Sequence, residues 1–140
     1  MFFQQAVKKT VSILVIFVLI CSLAVAGLEY RSNDSIDDIA STFRYGSSKD
    51  LARFFDQGID INITGNQGDY SKSQGELVMR DFFKKFPPID FSIVHKGNGS
   101  EQVINYIGSY KSDGSEFRIF IRGKKADTGI KIYGLDIMKV

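Results

Sequence analysis

Apolar side chains run unbroken over residues 13–20, behind the basic pair Lys8 and Lys9 and ahead of Ala24-Val25-Ala26-Gly27. A basic start, an apolar run and two small residues spaced A-x-A are the three parts of an export leader. The pattern favours cleavage after Ala26, dividing the chain into a signal peptide (1–26) and one mature domain (27–140). An uncut anchor is the alternative, since a run of about 18 apolar residues is long enough to span a bilayer. Cys21 follows Ile20 rather than a small residue, so it reads as one more member of the apolar run, not as the acylated start of a lipoprotein.

Beyond the leader the spacing changes. Asp34 or Ser35 can cap a helix carrying Ile36, Ile39, Ala40 and Phe43, and Gly46 stops it. Ser47 or Ser48 caps a second short helix with Leu51, Phe54 and Phe55, ended by Gly58. Ile59, Ile61 and Ile63 then alternate with polar residues, the period of a strand with one wet face. The residues Gly65-Asn66-Gln67-Gly68 read as its closing turn. Ser71-Lys72-Ser73-Gln74 has the form of a capping box. Behind it Gly75, Val78, Met79, Phe82, Phe83 and Phe86 follow at i, i+3, i+4, i+7, i+8 and i+11, a helical stripe that Pro87-Pro88 terminates. Gly75 falls on its buried side, where a missing side chain lets another backbone come close. Four strands follow at 89–96, 103–111, 117–124 and 130–140, joined by short polar turns and therefore antiparallel. The predicted fold is α+β, with helices packed on a curved antiparallel sheet in the order ααβαββββ.

Composition removes several function classes. The chain has 18 basic and 16 acidic residues, and Lys8 and Lys9 are the only charges in 1–26. The mature part is thus close to neutral and lacks the basic excess of a nucleic-acid binder. With Cys21 in the leader it has no cysteine, and with His95 its only histidine, neither a disulfide framework nor a zinc site is expected. Asp60, Asn62, Thr64 and Gly65 imitate a calcium loop, but its twelfth position is Ser71, where a bidentate Glu is needed. Asn33, Asn62 and Asn98 open N-x-[ST] triplets, which matter only in a glycosylating pathway. Phosphate cradles and nucleophile elbows are absent, and no cofactor is implied.

The order of elements is similar to the nuclear transport factor two-like, cystatin-like fold, a cone in which a bent sheet is closed by helices. More locally, Asp69-Tyr70-Ser71-Lys72-Ser73-Gln74, Asp81-Phe82-Phe83, Pro87-Pro88, Phe91-Ser92-Ile93 with His95-Lys96-Gly97, Ile107-Gly108, Phe117-Arg118-Ile119 and Leu135 resemble an uncharacterised family of exported bacterial proteins, a domain of unknown function. The resemblance runs from about Ile36 to the C-terminus and implies fold and export. It transfers no activity, because the same cone serves hydratases, isomerases and non-catalytic modules.

Few polar residues fall on apolar faces. His95 follows Phe91 and Ile93 on one side of its strand and is expected to point toward the helices, as a general base in a pocket or as a hydrogen-bonded rim residue. Asp136 interrupts the side made by Ile130, Ile132 and Met138, and Asn105 interrupts its strand in the same way. Asp136 is either a pocket carboxylate or, where the strand twists, a solvated one. With Tyr106 these form the pocket candidates, at the mouth of a lining expected from Phe82, Phe83, Phe91, Ile93, Phe117 and Ile119. Arg118 and Arg122 share the outer face with Phe120, suited to an anionic ligand, a partner's carboxylates or plain solvent. Apolar Phe120 and Val94 on that face suggest a covered sheet, most simply a homodimer. The expectation is an exported, periplasmic or secreted, non-catalytic module that binds a small apolar ligand or an envelope protein. The alternatives are a lyase or isomerase using His95 and Asp136, and a dimeric structural component.

Overall fold

The computed structural model describes residues 2–25, 36–98 and 100–140. The chain divides into two units. The first contains one helix, α1 (Phe2–Val25), which includes Lys8, Lys9 and the apolar run. Ala26 and the Asp34 and Ser35 cap lie outside the described residues, as does Gly99 of the turn after residue 96.

The second unit is an α+β domain, as expected. Its first helices are α2 (Ile36–Tyr45), burying Ile36, Ile39, Ala40 and Phe43, and α3 (Ser48–Ala52), capped by Ser47. Gly46 adopts φ +64° between them, a left-handed turn that glycine makes without steric cost. Helix α3 stops well short of Gly58. Phe54 accepts a backbone hydrogen bond from Ile132 at 2.7 Å, and Phe55 already pairs with Ile132 in β1 (Phe55–Ile63). Sheet pairing therefore claims two phenylalanines whose spacing suits a helix.

A further difference is β2 (Asn66–Ser71), read from sequence as turn and cap. Ile63 pairs with Asn66 across Thr64 and Gly65, whose φ angles of 50° and 95° are both positive, the requirement of a tight hairpin turn. Asn62 steadies the turn by accepting from the Gly65 amide at 3.1 Å. The strand has almost no apolar alternation because it is held by main-chain bonds at the sheet edge.

Helix α4 (Lys72–Lys85) starts at the expected capping box, Ser71 accepting from the Gln74 amide and Gln74 from that of Ser71. Strands β3 (Pro88–Asn98), β4 (Val103–Ser112), β5 (Ser115–Ala126) and β6 (Gly129–Lys139) complete a six-stranded sheet ordered β2-β1-β6-β5-β4-β3. All neighbours are antiparallel except β1 and β6. Two register shifts bear on function. One inserts Val94 between Ile93, paired with Gly108, and His95, paired with Ile107. The other inserts Tyr133 between Ile132, paired with Gly123, and Gly134, paired with Arg122. Such bulges bend a strand and exchange the faces its later residues occupy.

The core lies between the inner sheet face and α2 and α4. Met79, Phe82 and Phe83 of α4 meet Phe91, Tyr110, Phe117 and Ile119 from the sheet. Phe82 and Phe117 pack edge to face at 5.2 Å, and Phe43 stacks on Phe91 at 4.8 Å. A Cβ on Gly75 would stand 2.8 Å from the Ile59 side chain and 3.2 Å from the Phe55 ring, so side chains rather than the expected backbone fill the space that this glycine leaves.

The Tyr110 hydroxyl donates to the Phe86 carbonyl, closing the end of α4 onto the sheet. Burial pushes the phenol above its ordinary 10.0. The native state thus keeps its proton where the unfolded chain loses it, so stability is full below about pH 10 and falls as pH rises further. Tyr110→Phe is expected to cost about 1–3 kcal/mol at neutral pH, by orphaning the Phe86 carbonyl, and to flatten the alkaline decline. Urea unfolding across the alkaline range measures both, and an unchanged decline would contradict the assignment.

Candidate functional site: a cleft at the helix–sheet seam

Val78, Asp81, Phe82 and Lys85 follow one another at helical spacing along α4, on the flank that faces the β1–β2 hairpin. Between this flank and the sheet lies a cleft of about 580 Å³, within the roughly 300–1,000 Å³ of small-molecule sites. Ile61, Tyr70, Val78, Phe82, Phe86 and Phe117 make its apolar wall, with Asn66, Asp81, Lys85 and Lys139 among its polar lining. Phe86 and Phe117 meet at 4.8 Å at one end. Phe82 and Phe117 thus line a cleft, as expected. Phe82 and Phe117 are themselves buried members of the core, as are Phe83, Phe91 and Ile119, which do not border the cleft, and Ile93 is half-buried against that core.

The four polar pocket candidates do not assemble. Tyr106 pairs with Ile121 on the inner face and packs against the core, where burial raises its phenol pKa. It borders a separate hollow of about 350 Å³ with Lys96, Glu101 and Lys125. His95 is exposed, and the Val94 bulge brings it opposite Ile107, in the outer-face row that continues to Phe120 and Asp136. It therefore does not point toward the helices. Asn105 is exposed and pairs with Arg122 on the same outer face. The Tyr133 bulge shifts β6 by one position, so Leu135 and Ile137 continue the inner row from Ile130 and Ile132 while Asp136 turns out. His95 and Asp136 stand three strand spacings apart, roughly 14 Å at about 4.8 Å per strand.

Arg118, Phe120 and Arg122 lie on the outer face. Arg122 is held in an acidic clasp, 3.1 Å from Asp60 and 3.4 Å from Asp136, the second contact being an ion pair without hydrogen-bond geometry. Gln67 donates to Asp60 at 3.1 Å. The guanidinium lies across Gly134, where a Cβ would come within 2.5 Å of it. Asp60 escapes sequence reading because its role depends on the parallel pairing of β1 with β6. Lys124 and Asp56 form a second outer pair at 2.7 Å, and that hydrogen bond lowers the Asp56 pKa. Among the described residues, no group of three or more His, Cys, Asp or Glu side chains could hold a metal ion.

Helices packed on a six-stranded sheet are the arrangement of the nuclear transport factor two-like, cystatin-like fold. Residues 36–138 match the family model described as a domain of unknown function, DUF4783, and the chain belongs to that family. A DUF4783 family protein from Bacteroides ovatus is similar in structure, with TM-score 0.69 and 22% identity over 74% of this chain and 93% of that one. A domain of unknown function with a cystatin-like fold from Nostoc punctiforme aligns with TM-score 0.60 and 13% identity, covering 75% and 72% of the two chains. An NTF-2 like protein of unknown function from Silicibacter pomeroyi gives 0.54 and 12%, over 75% and 89%. No curated protein matches the chain.

Proposed function

We propose that this protein is exported by its leader, cleaved after Ala26, and acts in the periplasm or outside the cell as a non-catalytic module that binds a small apolar ligand. The observation that carries the binding reading is the cleft of about 580 Å³ walled by Phe82, Phe86 and Phe117. Phe82 and Phe117 are already buried, so a ligand would cover the exposed parts of half-buried Ile63, Tyr70, Val78 and Phe86, and burial of apolar area contributes about 25 cal/mol per Å². The basic start, apolar run and small-residue pair support export.

A lyase or isomerase needs a proton-transfer group beside the bound substrate. His95 and Asp136 lie on the outer face, away from the cleft, which tells against an enzyme built on those two residues. The test uses the uncharged fluorophore N-phenyl-1-naphthylamine with the mature domain. One saturable site is expected, lost in Val78→Glu while melting stays close to wild type, because Val78 is only half-buried. No saturable signal, or one indifferent to Val78→Glu, contradicts the proposal.

A second copy of the chain is a further reading, for the outer face. Val94 and Met138 are 50% and 55% exposed there, beside half-buried Ile107 and Phe120. Self-association would cover this apolar band. Light scattering of the mature form should then give a dimer that Phe120→Glu reduces to a monomer, and a monomeric wild type removes this reading.

A further inference from the structure

The cleft is apolar in its wall but not in its charge. The Lys85 ammonium lies 5.5 Å from the centroid of the Phe86 ring. Lys139, at the end of β6, pairs in register with Phe117. Phe86 and Phe117 meet at 4.8 Å, so both lysines, each in the lining of the cleft, stand next to this ring pair in the chain or across the sheet. The one acidic side chain in its lining, Asp81, is a helical turn back along α4. Among the described residues neither lysine nor Asp81 is engaged in an ion pair. Arg122 and Lys124 on the outer face, by contrast, are neutralised by Asp60, Asp136 and Asp56.

Resting on the binding reading above, we infer that the ligand is an anionic amphiphile: an apolar chain or ring system laid along Ile61, Val78 and Phe82, with a carboxylate-type head between Lys85 and Lys139. Two cations without an ion-pair partner among the described residues, next to an apolar wall, give such a head charge-assisted hydrogen bonds that an alcohol cannot match. An ammonium head would meet two like charges and one opposite charge.

The experiment competes three single-chain probes against N-phenyl-1-naphthylamine on the mature domain, below their micellar concentrations: dodecanoate, dodecanol and dodecylammonium. Dodecanoate is expected to displace the fluorophore at the lowest concentration. The Lys85→Gln, Lys139→Gln double variant should weaken it by about tenfold, and added salt should weaken it in wild type, while dodecanol is indifferent to both. Equal displacement by all three, stronger displacement by dodecylammonium, or no response to the double variant overturns the headgroup assignment and leaves the cleft reading standing. Failure of the fluorophore itself to bind removes the cleft reading, so the two failures are distinguishable.

Discussion

Gly108→Val is expected to destabilise the domain by about 3 kcal/mol or more, although strand propensity alone points the other way. Valine is a better strand former than glycine by up to about 1 kcal/mol. A Cβ at position 108, however, would stand 2.3 Å from two ring atoms of Phe91. Phe91 is buried and stacked on Phe43, so its ring has no free space to enter. Overpacking of this kind costs about 1–3 kcal/mol, occasionally more, and a branched side chain adds to it. Steric cost therefore outweighs propensity. For a domain of this size each kcal/mol lowers the melting temperature by about 4–8 °C, so calorimetry should show a drop on the order of 10–20 °C. A melting point at or above wild type would mean that Phe91 does not cross Gly108.

Phe82→Ala should be comparably severe. Phe82 touches the rings of Phe83 and Phe86, in and just after α4, and those of Tyr110 and Phe117, joining α4 to the sheet at two contacts. Truncating a core phenylalanine costs about 3–5 kcal/mol, the spread reflecting how far the surroundings collapse. Here one side of the ring borders the cleft, so collapse is partly free and the loss should fall near the lower figure. Chemical denaturation measures it. A loss below about 1 kcal/mol would mean that α4 is not seated on the sheet through this residue.

The parts legible in sequence are those in which one side chain governs one local conformation. The capping box at Ser71, the stripe from Gly75 to Phe86, the stop at Gly46 and the buried side of Gly75 all belong to this class. The polar hairpins between the last strands do too. What escapes is set by the main chain. Strand β2 has no apolar signature because backbone bonds hold it, and α3 ends early because Phe54 and Phe55 are claimed by pairing with β6. The bulges at Val94 and Tyr133 have the largest consequences. An alternating pattern assigns faces only while the count of residues is even across the strand, and one inserted residue reverses everything after it. That reversal takes His95 away from the helices and turns Asp136 toward Arg122. The cleft is hidden for a related reason. Its helix flank takes Val78 from the edge of the buried stripe and adds Asp81 and Lys85 beside it, and its other wall includes the unforeseen β1–β2 hairpin.

The place where a ligand contacts this domain decides whether the cleft is a binding site. Following aromatic and methyl NMR signals during titration with N-phenyl-1-naphthylamine locates it directly. Shifts should concentrate on Phe82, Phe86, Phe117 and Val78, with Phe120, Ile107 and Met138 unmoved. Shifts confined to Phe120, Ile107 and Met138 would place the contact on the outer sheet and contradict the cleft as the binding site.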